Sequence, residues 1–359
     1  MRALAVAAVA LAGFFFSLTP LAERADGALL DHAWRTLRKF DTRPAPDDIV
    51  IVGIDEATIR AIPEPPSLWH AALGAALAKL AGARPRAIAM AFPLPERSYD
   101  SVKPGLDRAL FDGLATAVEA TTFVAALSID ARTRAAKTIH TPYLALLGES
   151  RLGLDLTARD ADGIARRFTL LIPTEDGGFP TLQGRLCRAL DKDCSEGLIH
   201  YALGRPFTYV PLHKLLAMED PDLVRRIFRD RIVLIGEAQA FHDRVDVPLN
   251  LAAWETDAAH SPSVVVHAQT LRTALAQSAP REASRPLVVL LVSLAALVLL
   301  VRDPRMAAVT ALLAAVGAAV VGLVALHAGT YLPAAALLFT VGLALISRLA
   351  FAWRSRRKA

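Results

Sequence analysis

Residues 3–22, ALAVAAVALAGFFFSLTPLA, carry no charged side chain, and three more charge-free stretches follow near the other end, at 286–301, 306–326 and 330–347. A helix needs roughly 20 apolar residues to cross a hydrocarbon core about 30 Å thick. The pattern therefore predicts four transmembrane helices, one before and three after a polar middle. It divides the chain into an anchor over 1–24, an extracytoplasmic domain over 25–283, a membrane region over 284–353 and a basic tail over 354–359. The first segment has a rival reading as a cleaved signal peptide, since Arg2 precedes an apolar run. Neither Pro20-Leu21-Ala22 nor Glu23-Arg24-Ala25 offers small residues at both cleavage positions, which favours an uncleaved anchor.

Charge orients the spans. The loop 302–305 contains Arg302 and Arg305, the turn 327–333 has no Lys or Arg, and the tail carries Arg354, Arg356, Arg357 and Lys358. By the positive-inside rule the loop and the tail face the cytoplasm. Tracing back across one span places residues 25–283 outside. From Arg302 onward there are seven basic residues and one acid, a net +6, against +5 for the whole chain, so residues 1–301 sum to −1. The basicity belongs to membrane-flanking segments, where anionic lipid attracts it. Nucleic acid is excluded as a partner, and membrane lipid is expected.

The polar middle alternates short β-branched runs with helical patterns. Strands are predicted at 49–55, 86–92, 122–129 and 231–236, with short ones at 199–204 and 207–211. Helices are predicted at 29–40, at 67–83 with Ser67 as its cap, and at 105–120, 181–190 and 264–277. A polar turn is expected around Asp162-Gly163, with Asp160, Arg166 and Arg167 forming ion pairs. Alternation of this kind indicates an α/β domain with a largely parallel sheet and flanking helices. The two cysteines, Cys187 and Cys194, fall in this segment, and an outside location permits a disulfide between them.

Five stretches in this order, DDIVIVGIDEATI, ARPRAIAMAF, DADGIARRFTLL, RDRIVLIGEAQAFHDRVDVPL and VVVHAQTLRTAL, carry a resemblance. Over roughly residues 25–301, and with its closing spans, the chain resembles the CHASE type-2 family of bacterial extracellular sensor domains. The resemblance implies ligand sensing outside the inner membrane and a cytoplasmic kinase or cyclase after three spans. The sequence departs from the pattern at Ala91, where Asp is usual, and at Pro262-Ser263, where Pro-Gly is frequent. It ends at Ala359, so signalling in trans to a partner protein is the expectation, with a homodimer as a further expected partner.

The candidate ligand-binding residues are Asp55 and Glu56 after the first strand, and Glu237, His242, Asp243 and Asp246 after the strand at 231–236. His267 completes the set. If the two strands are parallel neighbours, these groups share the crevice at the sheet's carboxyl edge, where α/β domains bind ligands. The bland alternative is that strand-end acids cap helices and hold turns, and that the histidines are packed core residues. No Gly-rich phosphate loop follows IVIVGID, no Ser sits in a Gly-flanked elbow, and no zinc spacing occurs. No catalytic residue, metal or cofactor is therefore expected. The leading expectation is a sensor for a small molecule. A structural membrane protein is the alternative, and an enzyme using Asp55, Glu56 and Asp243 the third.

Overall fold

The computed structural model describes the chain except Met1, Asp41, Asp47, Ala131, Thr133, Arg134, 174–177, Asp257, Ala258 and Ala359. The side chains of Arg2 and 354–358 also lie outside the description, and with them the basic groups of the tail. The chain divides into two compact units: Thr42–Ala279, and Met1–Asp41 together with Pro280–Ala359.

The first unit is built on a six-stranded sheet. Its strands are β1 (Ile49–Ile54), β2 (Ala87–Pro93), β3 (Thr122–Leu127), β4 (Leu152–Leu154), β5 (Thr208–Pro211) and β6 (Ile232–Glu237), in the spatial order β4-β3-β2-β6-β1-β5. Every pairing is parallel; β6 lies between β1 and β2, with Ile49 opposite Ile232 and Ile54 opposite Glu237. Strands buried on both faces need apolar side chains at every position, which is why IVIVGI and IVLIGE lack polar alternation. Val50, Val52, Ile88, Met90, Phe123, Val233 and Ile235 form one buried face. Against it pack α4 (His70–Gly82) and α5 (Leu106–Ala120) through Leu77, Leu80, Leu110 and Leu114. The intervening residues Ile51, Ala89, Val124 and Leu234 are buried on the opposite face. There lie α7 (Leu182–Ala189) and α10 (Ser263–Leu275), and α10 is buried on every side from Ser263 to Ala274.

α4 and α5 approach closely enough to require glycine at their crossing. A Cβ on Gly113 would lie 2.4 Å from the Gly74 Cα, and one on Gly74 would lie 2.2 Å from the Ala109 carbonyl oxygen. Backbone cannot move aside as a flexible side chain can. Gly113→Leu is expected to cost about 3 kcal/mol, read as a lower midpoint for urea unfolding, while Ala75→Leu, at an exposed position of α4, leaves it nearly unchanged.

Several expectations are corrected. Ser67 does not cap α4; residues Pro66–Leu68 form a 3-10 turn and Trp69 precedes the helix without a side-chain cap. The lead-in is held instead by Trp69 Nε1, which donates to the Glu64 carbonyl at 2.7 Å. Residues 199–204 are not a strand; the pairing is Gly197–Leu198 antiparallel to Arg167–Phe168. Short elements escaped the periodicity, among them β4, α6 (Thr141–Leu147), α8 (Leu212–Ala217) and α9 (Pro221–Phe228). Cys187 and Cys194 are joined by a disulfide with Cα atoms 6.3 Å apart.

In the second unit the count of four spans is also corrected. Among the described residues, two helices suffice by length and composition to cross a membrane: α12 (Pro304–His327) and α13 (Ala335–Lys358), the latter over Ala335–Trp353. A third arises only if α1 (Arg2–Ser17) and α2 (Pro20–Phe40), bent by 76° at their junction, count as one span. The break has a local cause. Pro20 has no N–H to continue the helix, and the Thr19 hydroxyl donates to the Phe16 carbonyl at 2.7 Å while accepting from Ala22 N at 3.2 Å, opening a new helix. The segment 286–301 gives α11 (Arg285–Ala296) and a 3-10 turn to Leu300, an apolar helix shorter than the others.

Candidate functional site

The carboxyl edge of β1 and β6 gathers most of the acids singled out from the sequence, and each is held by a partner within the chain. Asp55 caps α3 (Glu56–Ala61): one oxygen accepts from Thr58 N and Thr58 Oγ1, both at 2.8 Å. The other accepts from the Tyr209 hydroxyl at 3.0 Å. The ring of Tyr209 covers Gly53, where a Cβ would fall 2.2 Å from it, and stacks on Trp254 at 3.9 Å. Burial, with the Asp55 charge beside it, pushes the Tyr209 hydroxyl far above its ordinary range. His213 Nδ1 sits 3.0 Å from Thr58 Oγ1, extending the chain of polar groups to α8.

Glu56 reaches across the edge and accepts from Ala240 N at 2.5 Å, fastening the loop after β6. In that loop Glu237 bonds the exposed His242 through Nδ1. Asp243 turns the chain with a φ of +50° and holds the start of α10, its carbonyl accepting from Ser263 N at 2.9 Å and its carboxylate bonding the Ser263 hydroxyl. Asp246 lies in a separate antiparallel pair, Arg244–Asp246 with His260–Pro262, where His260 is 3.0 Å away. Its carbonyl accepts from Ala165 N, beside the turn that begins at Asp160.

His267 is the deeply placed member, 2% exposed on α10. Its Nε2 stands 2.9 Å from Asp155, just past β4, and its Nδ1 is 2.5 Å from the amide nitrogen of Gln183 on α7. An amide nitrogen only donates, so Nδ1 accepts and Nε2 carries the proton toward Asp155. Burial opposes a charge on His267, but the hydrogen bond and charge of Asp155, with the charge of Asp243, outweigh it and raise the imidazole above its ordinary value. A second proton on Nδ1 would require Gln183 to present its oxygen. The triad is thus a two-state group joining β4, α7 and α10.

Glu56 meets the β6 loop, whereas Asp55 is held by α3 and β5, and Asp243 acts electrostatically on His267. Asp55 and Asp243 are held by different partners, so they do not form a single acid–base pair. Among the described residues no group of three His, Cys, Asp or Glu is arranged to hold a metal ion. Tyr209, His213, Gln183 and Asp155 were missed in the sequence. Asp155 had a readable signal, since GLD at 153–155 repeats the strand-exit pattern of GID at 53–55.

A search of curated proteins gave no match to the chain, and a search of solved structures gave none. A sequence model of the CHASE2 domain matches residues 4–302, covering the first apolar helix, the whole α/β unit and the helix that follows it. With most of its length matched in this way, the chain belongs to the CHASE2 domain family.

Proposed function

We propose that the α/β unit is an extracytoplasmic sensory module of a bacterial inner-membrane protein, which binds a small molecule and acts on a partner protein in trans. CHASE2 is a sensor-domain family and not an enzymatic one. The observation that carries the reading is the state of the edge acids: Asp55, Glu56 and Asp243 fasten three elements together. A ligand whose binding shifts the sheet edge, from any site in the unit, changes how α3, the β6 loop and α10 are held. A catalytic acid is instead left facing its substrate.

The membrane-flanking unit supports the outside location. Arg348 of α13 donates to the Val301 carbonyl at 2.7 Å and also bonds the Arg302 carbonyl, so the loop 302–305 and the basic end of α13 share one end of the bundle. Residues Arg281–Glu282 pair with Thr330–Tyr331, placing the approach to α11 at the other end. α11 therefore runs between the same two ends as α12, short as it is. Mismatch of this size is met by local bilayer thinning at modest cost.

The test is a thermal-stability screen of the full chain in lipid nanodiscs against small molecules. A ligand at about 100 times its dissociation constant stabilises by about 2.7 kcal/mol. Stable assemblies indifferent to every small molecule would favour the structural reading, and turnover abolished by Asp243→Asn would favour an enzyme.

A further inference from the structure

A cavity of about 210 Å³ opens at the carboxyl end of β2, away from the acids of β1 and β6. Its walls are Leu73, Met90, Phe92 and Leu110, and its polar side carries Ser67 and His70, the latter only 3% exposed. Tyr99 closes it, with its ring 5.1 Å from the His70 ring. The segment bearing Tyr99 is a strap fastened to α5 through Asp107, and before α6 by His140 N donating to the Pro95 carbonyl at 2.8 Å. Asp107 on α5 accepts from Ser98 Oγ at 2.5 Å and from Tyr99 N at 3.0 Å, and its own N–H donates to Asp100 at 2.9 Å. Outside the strap lies a second, open cleft of about 400 Å³, lined by Glu96 and Arg97, and Leu94, Pro95 and Tyr99 line both spaces. Displacing Tyr99 would join them.

The polar groups define what the cavity accepts. His70 Nε2 is buried with no hydrogen-bond partner, 3.8 Å from Asp107, and His140 stands 3.6 Å from the same carboxylate on its other side. Burial lowers the His70 imidazole below its ordinary value against the pull of Asp107, which favours its neutral form. A neutral imidazole offers one donor and one acceptor. The carboxylate of Asp107 behind it repels an anion. An apolar cavity of about 150 Å³ holds one benzene ring, so this one has room for a ring and a substituent.

Resting on the sensory reading above, we infer that this cavity is the ligand pocket of the module. It takes a small, uncharged, single-ring molecule with one hydroxyl or amine for His70, and the Tyr99 strap reports its occupancy. The side chains that would meet such a ligand lie on β2, α4, α5 and the strap, away from the β1–β6 edge.

The experiment is calorimetric titration of the full chain in nanodiscs with phenol, toluene and benzoate, against empty nanodiscs. Phenol is expected to bind saturably, and benzoate at least about tenfold more weakly. His70→Leu should weaken phenol by about two- to tenfold, the worth of one hydrogen bond, and leave toluene unchanged. Leu73→Trp fills the cavity and should abolish phenol binding; Tyr99→Ala, on the exposed strap, serves if that variant does not fold, and should weaken it. Absence of saturable phenol binding to the wild-type chain, or binding indifferent to these substitutions, overturns the pocket. A screened ligand that stabilises the chain equally with Leu73→Trp would overturn it too, while leaving the sensory reading standing.

Discussion

Replacing both Asp160 and Asp162 by asparagine is expected to destabilise the α/β unit by about 3–5 kcal/mol, because it removes the two carboxylate charges beside a buried guanidinium. Arg166 is 2% exposed, with Asp160 at 3.0 Å and both oxygens of Asp162 at 2.9 and 2.8 Å. The hydrogen bonds from Arg166 hold the Asp162 carboxyl below its ordinary range. A lowered folded-state value means the contribution is complete above the unfolded carboxylate value, near 4, and is lost as pH falls through the folded one. Urea unfolding at neutral and acidic pH should show the wild type losing stability toward acid more steeply than the double variant. Equal slopes, or a cost within experimental error of zero, would remove the pair from the account.

His267→Leu should cost about 3 kcal/mol, since it leaves Asp155 and Gln183 without their buried partner. The pH dependence runs the other way from that of Asp162. The folded-state value of His267 is raised, so its contribution is complete below the unfolded imidazole value, near 6.5, and declines as pH rises through the folded value. The difference in unfolding free energy between wild type and His267→Leu should therefore shrink from mildly acidic to mildly alkaline pH. A difference that is flat, or grows with pH, would show that Asp155 does not hold the proton there.

The sheet was legible because its central strands are apolar throughout, up to Glu237 at the exit of β6. IVIVGI and IVLIGE have no polar face to offer water, so burial on both sides is their only stable use. The shortest elements were not legible: β4 has three residues, too few for any period, and its Asp155 partner for His267 went unseen with it. The acids of the edge were visible as residue types, but not their partners. Tyr209 reaches Asp55 from a strand 154 residues away, and only the fold supplies that proximity. The bend at the end of the first apolar segment was not legible because hydropathy runs on through Thr19-Pro20, whereas a Thr followed by Pro is a helix-start signal. Hydropathy reports the solvent a segment prefers, and capping chemistry reports where its axis turns.

The central claim is that the α/β unit faces outward while the loop 302–305 faces the cytoplasm. Both native cysteines are joined to each other, so a single introduced thiol can be read alone. Asp112→Cys, at an exposed position on α5, and Ala359→Cys, in the tail, would be treated in intact cells with a membrane-impermeant thiol reagent. The account predicts labelling at position 112 in intact cells, and at position 359 only after the membrane is opened. Labelling at 359 with protection at 112 would place the unit in the cytoplasm and contradict it.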